Sequence, residues 1–124
     1  MYLDDFLQEF IVKNEEELIR LLKVRHNYSA NNFILTHNES GFPQLNIFAK
    51  DDKFVLYYMA DGENYVSTGN NSTQEETYLF YENNNGSKIA LPCSCIVKEQ
   101  AMETAALEFF KQKSLPKNIH WQKL

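Results

Sequence analysis

Cys93 and Cys95, separated by one serine in Pro92-Cys93-Ser94-Cys95, are the two thiols of the chain. Thiols this close in sequence form a disulfide poorly, because the ring would be small and strained. As metal ligands they make half a set: tetrahedral zinc wants four donors, or three and a water. His26, His37 and His120 are scattered and show no ligand spacing. A Cys–His dyad built on either thiol stays open, since such partners meet in space and not in sequence. Neither Ser nor Cys stands in a nucleophile elbow. There is no Gly-x-Gly-x-x-Gly and no P-loop spacing, and the four glycines fall at expected turns. Carboxylates are plentiful, but most fall in expected turns, where water leaves an acid without special poise. The reading is of two reduced thiols in a strand or turn, no metal and no cofactor, which favours a reducing cytosol.

Charge says more than nucleophiles do. The net charge is −5, which argues against direct nucleic-acid binding, since that needs cations to displace counterions from phosphates. From Phe54 to Ser87 there is no Lys, Arg or His, and the stretch holds Asp61, Glu63, Glu75, Glu76 and Glu82. From Lys88 onward the chain is basic on balance. The acidic stretch is either a solvated face or a patch for a basic partner, where complementarity would speed association. Two Asn-rich segments, Gly69 to Ser72 and Asn83 to Gly86, are plain turns or a source of adaptable hydrogen bonds beside those acids.

These residues need elements to hold them. The 124 residues suit one domain, 1–124, with one core. Nine Phe, seven Tyr and one Trp supply much apolar area. Phe6 to Val12 reads as a first strand. Asn14 with Glu17 has capping-box spacing and opens a helix from about Glu15 to His26. Strands are expected at Phe33–Thr36, Leu45–Ala49, Phe54–Met59 and Tyr65–Thr68. Thr77–Tyr81 pairs with Lys88–Leu91, a second helix runs from about Lys98 to Lys111, and a short strand holds Ile119 and Trp121. Alternation puts Tyr57 and Tyr58 on opposite sheet faces, Trp121 in the core and His120 away from it. His37 reads as a surface or edge histidine. Tight turns between consecutive strands imply antiparallel pairing. The expected fold is therefore α+β: a mainly antiparallel sheet of about five to seven strands with two helices on one face, in two layers. No apolar run reaches the roughly 18 residues a bilayer requires. The acidic N-terminus MYLDDFLQEF lacks the features of a secretory signal, so a cytoplasmic location without membrane attachment is expected.

Three segments together carry a resemblance. They are Phe42-Pro43-Gln44-Leu45-Asn46-Ile47-Phe48 running into Val55-Leu56-Tyr57-Tyr58; Asp61 through Gly69 with its Ser67-Thr68-Gly69 turn; and Ile89-Ala90-Leu91-Pro92, then Ala101, Ala105, Phe109-Phe110, Leu115-Pro116 and Ile119-His120-Trp121. Their order and spacing resemble the Imm-one family of bacterial immunity proteins, small cytosolic antidotes encoded beside polymorphic toxins. Tyr65 departs from the small residue expected before the Ser-x-Gly turn. The resemblance implies a non-enzymatic protein that binds a cognate toxin domain, often a nucleic-acid deaminase, and blocks its active site. Asp61, Glu63, Glu75, Glu76 and Glu82 would then meet Lys and Arg of the toxin, with Tyr65, Asn70 and Asn71 filling in. The rival readings are a cytosolic protein-binding adaptor with no toxin partner and a small enzyme using Cys93 or Cys95.

Overall fold

Asn14 opens the first helix as its spacing foretells: its side-chain oxygen accepts the Glu17 N–H at 2.9 Å. Helix α1 spans Glu15–Leu22, with three glutamates in its first turn where the helix dipole favours anions. It stops four residues before the expected His26, where side chains take up its last carbonyl and one just beyond it. Arg25 donates to the carbonyls of Leu22 and Val24 at 3.0 Å each, and Asn31 donates to Val24 at 3.0 Å. With those acceptors satisfied, the helix has no need of another turn.

The computed structural model of the protein describes residues 1–69 and 76–124. The expected first strand, Phe6 to Val12, is a hairpin instead: β1 (Tyr2–Asp4) and β2 (Glu9–Ile11) pair antiparallel. Asp5 makes the turn. Its Oδ1 accepts the N–H groups of Leu7 (2.7 Å) and Gln8 (3.1 Å), a local bond that competes with extended structure. Then follow β3 (Ala30–Thr36), β4 (Gln44–Lys50), β5 (Lys53–Ala60), β6 (Glu63–Thr68), β7 (Thr77–Tyr81), β8 (Lys88–Pro92), α2 (Glu99–Gln112) and β9 (His120–Lys123). Seven strands form one sheet in the order β2-β1-β3-β4-β5-β6-β9, every neighbour antiparallel, and β7 with β8 forms a separate pair.

The long sheet has different cover on its two faces. One face presents Leu3, Phe33, Leu35, Leu45, Ile47, Phe54, Leu56 and Tyr58 to Leu18, Leu21 and Leu22 of α1 and Met102, Ala105 and Phe109 of α2. This is the main core and the expected two-layer α+β arrangement. The β7–β8 hairpin adds partial cover on the other face, where Phe80 and Leu91 pack on Phe48, Val55 and Val66. Tyr57 lies on this second side and Tyr58 in the main core, on opposite faces as alternation requires. Trp121 packs against the main core, with its indole N–H donated to Pro116 at 2.7 Å.

At the far end of α2, Lys113 adopts a left-handed conformation and closes the helix on the Phe109 carbonyl at 2.9 Å. The same carbonyl lies 2.8 Å from His37 Nε2. A carbonyl only accepts, so Nε2 carries the proton. His37 is thus a half-buried tie between β3 and α2, with its pKa drawn down by burial and only partly restored by this bond.

Candidate partner-binding surface

The Ser67-Thr68-Gly69 turn acts as a clamp. β6 leaves β5 after the Tyr57–Val66 pair, and the freed backbone groups find other partners. Leu56 N–H goes to Ser67 Oγ at 3.0 Å, and Ser67 Oγ donates to the Cys95 carbonyl at 2.7 Å. Phe54 O accepts from Val97 N–H at 2.8 Å. Gly69 N–H donates to Ser94 O at 2.7 Å, and a Cβ on Gly69 would sit 1.9 Å from the Ile96 carbonyl oxygen, so only glycine fits there. On the other side Cys93 N–H donates to Glu76 O at 2.8 Å. The Cys93–Cys95 turn is therefore slung between β6 and the start of β7.

That placement describes both thiols. Both are free, Cys95 buried and Cys93 half-exposed. Burial pushes the Cys95 thiol up, the opposite of the depressed pKa that activates a nucleophile. Cys93 lines, with Lys53, Lys98 and His120, a groove of about 1050 Å³ beside the first turn of α2. Among the described residues no three His, Cys, Asp or Glu side chains converge to hold a metal ion.

The acidic residues divide between separate places. Asp61 and Glu63 belong to the turn between β5 and β6 and are exposed. Glu63 is engaged: its carboxylate lies 4.0 Å from Lys123 Nζ and accepts from the Tyr65 hydroxyl at 3.2 Å. Glu76 and Glu82 bracket β7 and are exposed. β7 lies beside the opposite end of β5, since the Tyr78 hydroxyl donates to Asp51 at 3.3 Å in the β4–β5 turn. Eight extended residues of β5 separate the two turns, about 25 Å. Lysines also enter from neighbouring strands. Lys50 and Lys53 stand over the Tyr78 ring at 5.2 and 5.1 Å. A stretch without cations in sequence thus meets Lys50, Lys53 and Lys123 in space. Asn70, Asn71 and Glu75 lie outside the described residues.

The second Asn-rich segment is occupied internally. Asn27 bonds Asn84 through both its backbone N–H (3.3 Å) and its side-chain amide (3.2 Å). Tyr28 stacks on Tyr81 with ring centroids 4.4 Å apart. Gly86, at φ +89°, leaves room for the Tyr28 hydroxyl, which a Cβ would meet at 2.8 Å. The turn thereby fastens the hairpin to the start of β3. Sequence reading missed this role because Asn27 and Asn84 are 57 residues apart.

Known proteins agree with this framework. The chain is 47% identical over 124 residues, covering all of both chains, to a "Double-stranded DNA deaminase immunity protein" of Burkholderia cenocepacia (strain H111). The family described as Immunity protein Imm1 matches residues 8–123, which takes in every element from β2 to β9. With a full-length relative and a family match over nearly the whole chain, this protein belongs to the Imm1 family of immunity proteins.

Proposed function

We propose that this protein binds a nucleic-acid deaminase toxin one to one and inhibits it by covering its active site. The observation that carries the reading is the 47% identity, along the full length of both chains, to a relative named for immunity to a double-stranded DNA deaminase. Immunity proteins of this kind inhibit and do not catalyse, which fits a buried Cys95 whose thiol pKa is raised.

The charge supports a protein partner over nucleic acid. At −5 the chain repels a phosphate backbone, while a DNA-acting enzyme carries cations around its substrate channel. Asp61 and Glu63 at the β5–β6 turn, together with Glu76 and Glu82 beside β7, are the acids offered to such cations, and Tyr65 flanks the first pair. Charge would set the rate and selectivity of encounter, and a few desolvated side chains most of the affinity. We place the protein in the cytoplasm as a single domain. Among the described residues no helix is long and apolar enough to cross a membrane.

The test pairs the protein with a toxin domain of the double-stranded DNA deaminase class. Tight one-to-one binding by calorimetry, with loss of deamination on duplex DNA at equimolar protein, is the expected result. Two folded proteins that neither bind nor silence the activity would return the adaptor reading to the front.

A further inference from the structure

The hairpin leaves part of its sheet face uncovered. It lies over Phe48, Val55 and Val66. On the same face Ile34, Asn46 and Tyr57 stand side by side across β3, β4 and β5, and Thr36, Gln44 and Met59 form the next row. All six are half-exposed and none carries a charge. Among the described residues Ile34 and Met59 pack into neither core. In the patch the Asn46 side-chain oxygen is shut off from solvent and, among the described residues, has no hydrogen-bond partner, a cost the free protein carries.

Acids flank the Ile34 row on the β1–β2 side. Asp4 is in register with Ile34 on one side and with Glu9 on the other. Among the described residues neither acid is ion-paired. Like charges directly opposite on neighbouring strands destabilise a sheet, so this pair is a second cost that a cation would relieve. On the helical face some charges pair internally, with Lys111 2.6 Å from Glu15 and Lys23 3.3 Å from Glu103.

We infer that the toxin docks on this half of the sheet, which no described residue covers, with apolar side chains seated on Ile34 and Met59 beside Tyr57. A Lys or Arg of its DNA-binding rim then settles between Asp4 and Glu9. The inference rests on the immunity reading and names the surface that reading requires. A charge-free centre bearing Tyr and Met inside a polar rim is how binding energy concentrates at interfaces. The rim has the right sign for a partner that grips phosphates. Holding those same cations would also deny them to DNA.

Met59→Arg places a charge at the β5 side of the patch without touching either core. Calorimetry against the same deaminase toxin domain should show binding weakened at least ~100-fold, with Lys23→Glu on the helical face within ~3-fold of the unmodified protein. Hydroxyl-radical footprinting gives a second readout that needs no variant. Met59 should oxidise in the free protein and be protected in the complex, while buried Met102 stays unreactive in both. Unchanged affinity of a folded Met59→Arg protein, or undiminished Met59 oxidation in the complex, overturns this docking face and leaves the immunity reading standing. Failure of the unmodified pair to bind removes both.

Discussion

Ser67 Oγ donates a 2.7 Å hydrogen bond to the carbonyl of Cys95, joining β6 to a turn 28 residues further along the chain. The same oxygen receives the Leu56 N–H, and Ser67 is fully buried. Ser67→Ala therefore orphans a donor and an acceptor at once, each costing about 1–3 kcal/mol when buried. Urea unfolding should report a loss of about 2–4 kcal/mol. A loss smaller than ~0.5 kcal/mol, the range of neutral surface changes, would mean that water or a rearranged backbone replaces the clamp.

Gly69→Ala forces a methyl group into the Ile96 carbonyl, and backbone cannot step aside as a flexible side chain can. The strain should fall on the attachment of the hairpin, with a stability cost of about 1–3 kcal/mol. Hydrogen exchange would locate it. Amides in Thr77–Tyr81 and Lys88–Pro92 should lose protection while those of Gln44–Lys50 keep theirs. Uniform loss across both sheets would contradict a local clamp.

The thiols should differ in reactivity. Iodoacetamide should label half-exposed Cys93 in the native protein and reach Cys95 only in denaturant, because burial both hides that thiol and raises its pKa. Mass spectrometry of the labelled peptide separates the two. Inhibition of the toxin should survive Cys93 labelling; its abolition would place that thiol in the contact.

His37 gives the stability a pH dependence of known sign. Burial holds its native pKa below the ordinary histidine value, so the unfolded chain takes up the proton first. Its contribution is complete above about pH 6.5 and is lost as pH falls toward the lower native value. His37→Gln can still donate to Phe109 and does not titrate. Its thermal stability should therefore decline less between pH 7 and 5 than that of the unmodified protein, as followed by circular dichroism. Parallel declines would assign the pH dependence to other groups.

Glu9→Gln separates stability from recognition. Removing one of two opposed acids should raise stability by about 0.2–1 kcal/mol, while association with the toxin slows at low salt. Stopped-flow rates and melting temperatures on the same preparation test both halves. A variant that is stabilised and associates at the unmodified rate would leave the acidic pair outside the encounter.

Much of the scaffold was readable from local pattern. The Asn14 cap, the alternation that separates Tyr57 from Tyr58, and the β7–β8 pairing all rest on neighbours within a few residues. The misreadings share the opposite property. Phe6 to Val12 alternates convincingly, yet Asp5 turns the chain back and Asn31, 25 residues away, receives the Phe6 N–H at 3.0 Å. α1 ends early where Arg25 folds back on the Leu22 carbonyl and joins Asn31 on that of Val24, just beyond the helix. The candidate site suffered most. A run of acids in sequence says nothing of Lys123, which arrives beside Glu63 only when β9 completes the sheet. Nothing local tells that the β7–β8 hairpin, far along the chain, covers Phe48 and not Ile34 on the same face.

The long sheet ends on β2 and β9, strands of three and four residues. An edge that short offers another copy of the chain only a few backbone hydrogen bonds, and Glu9 and Lys123 stand on those edges, where charge discourages strand addition. The docking face proposed above, with Ile34, Tyr57 and Met59 partly exposed, would also be open to a second copy of the chain. Short, charged ends on the long sheet thus limit edge-to-edge growth between copies, whichever face the target takes.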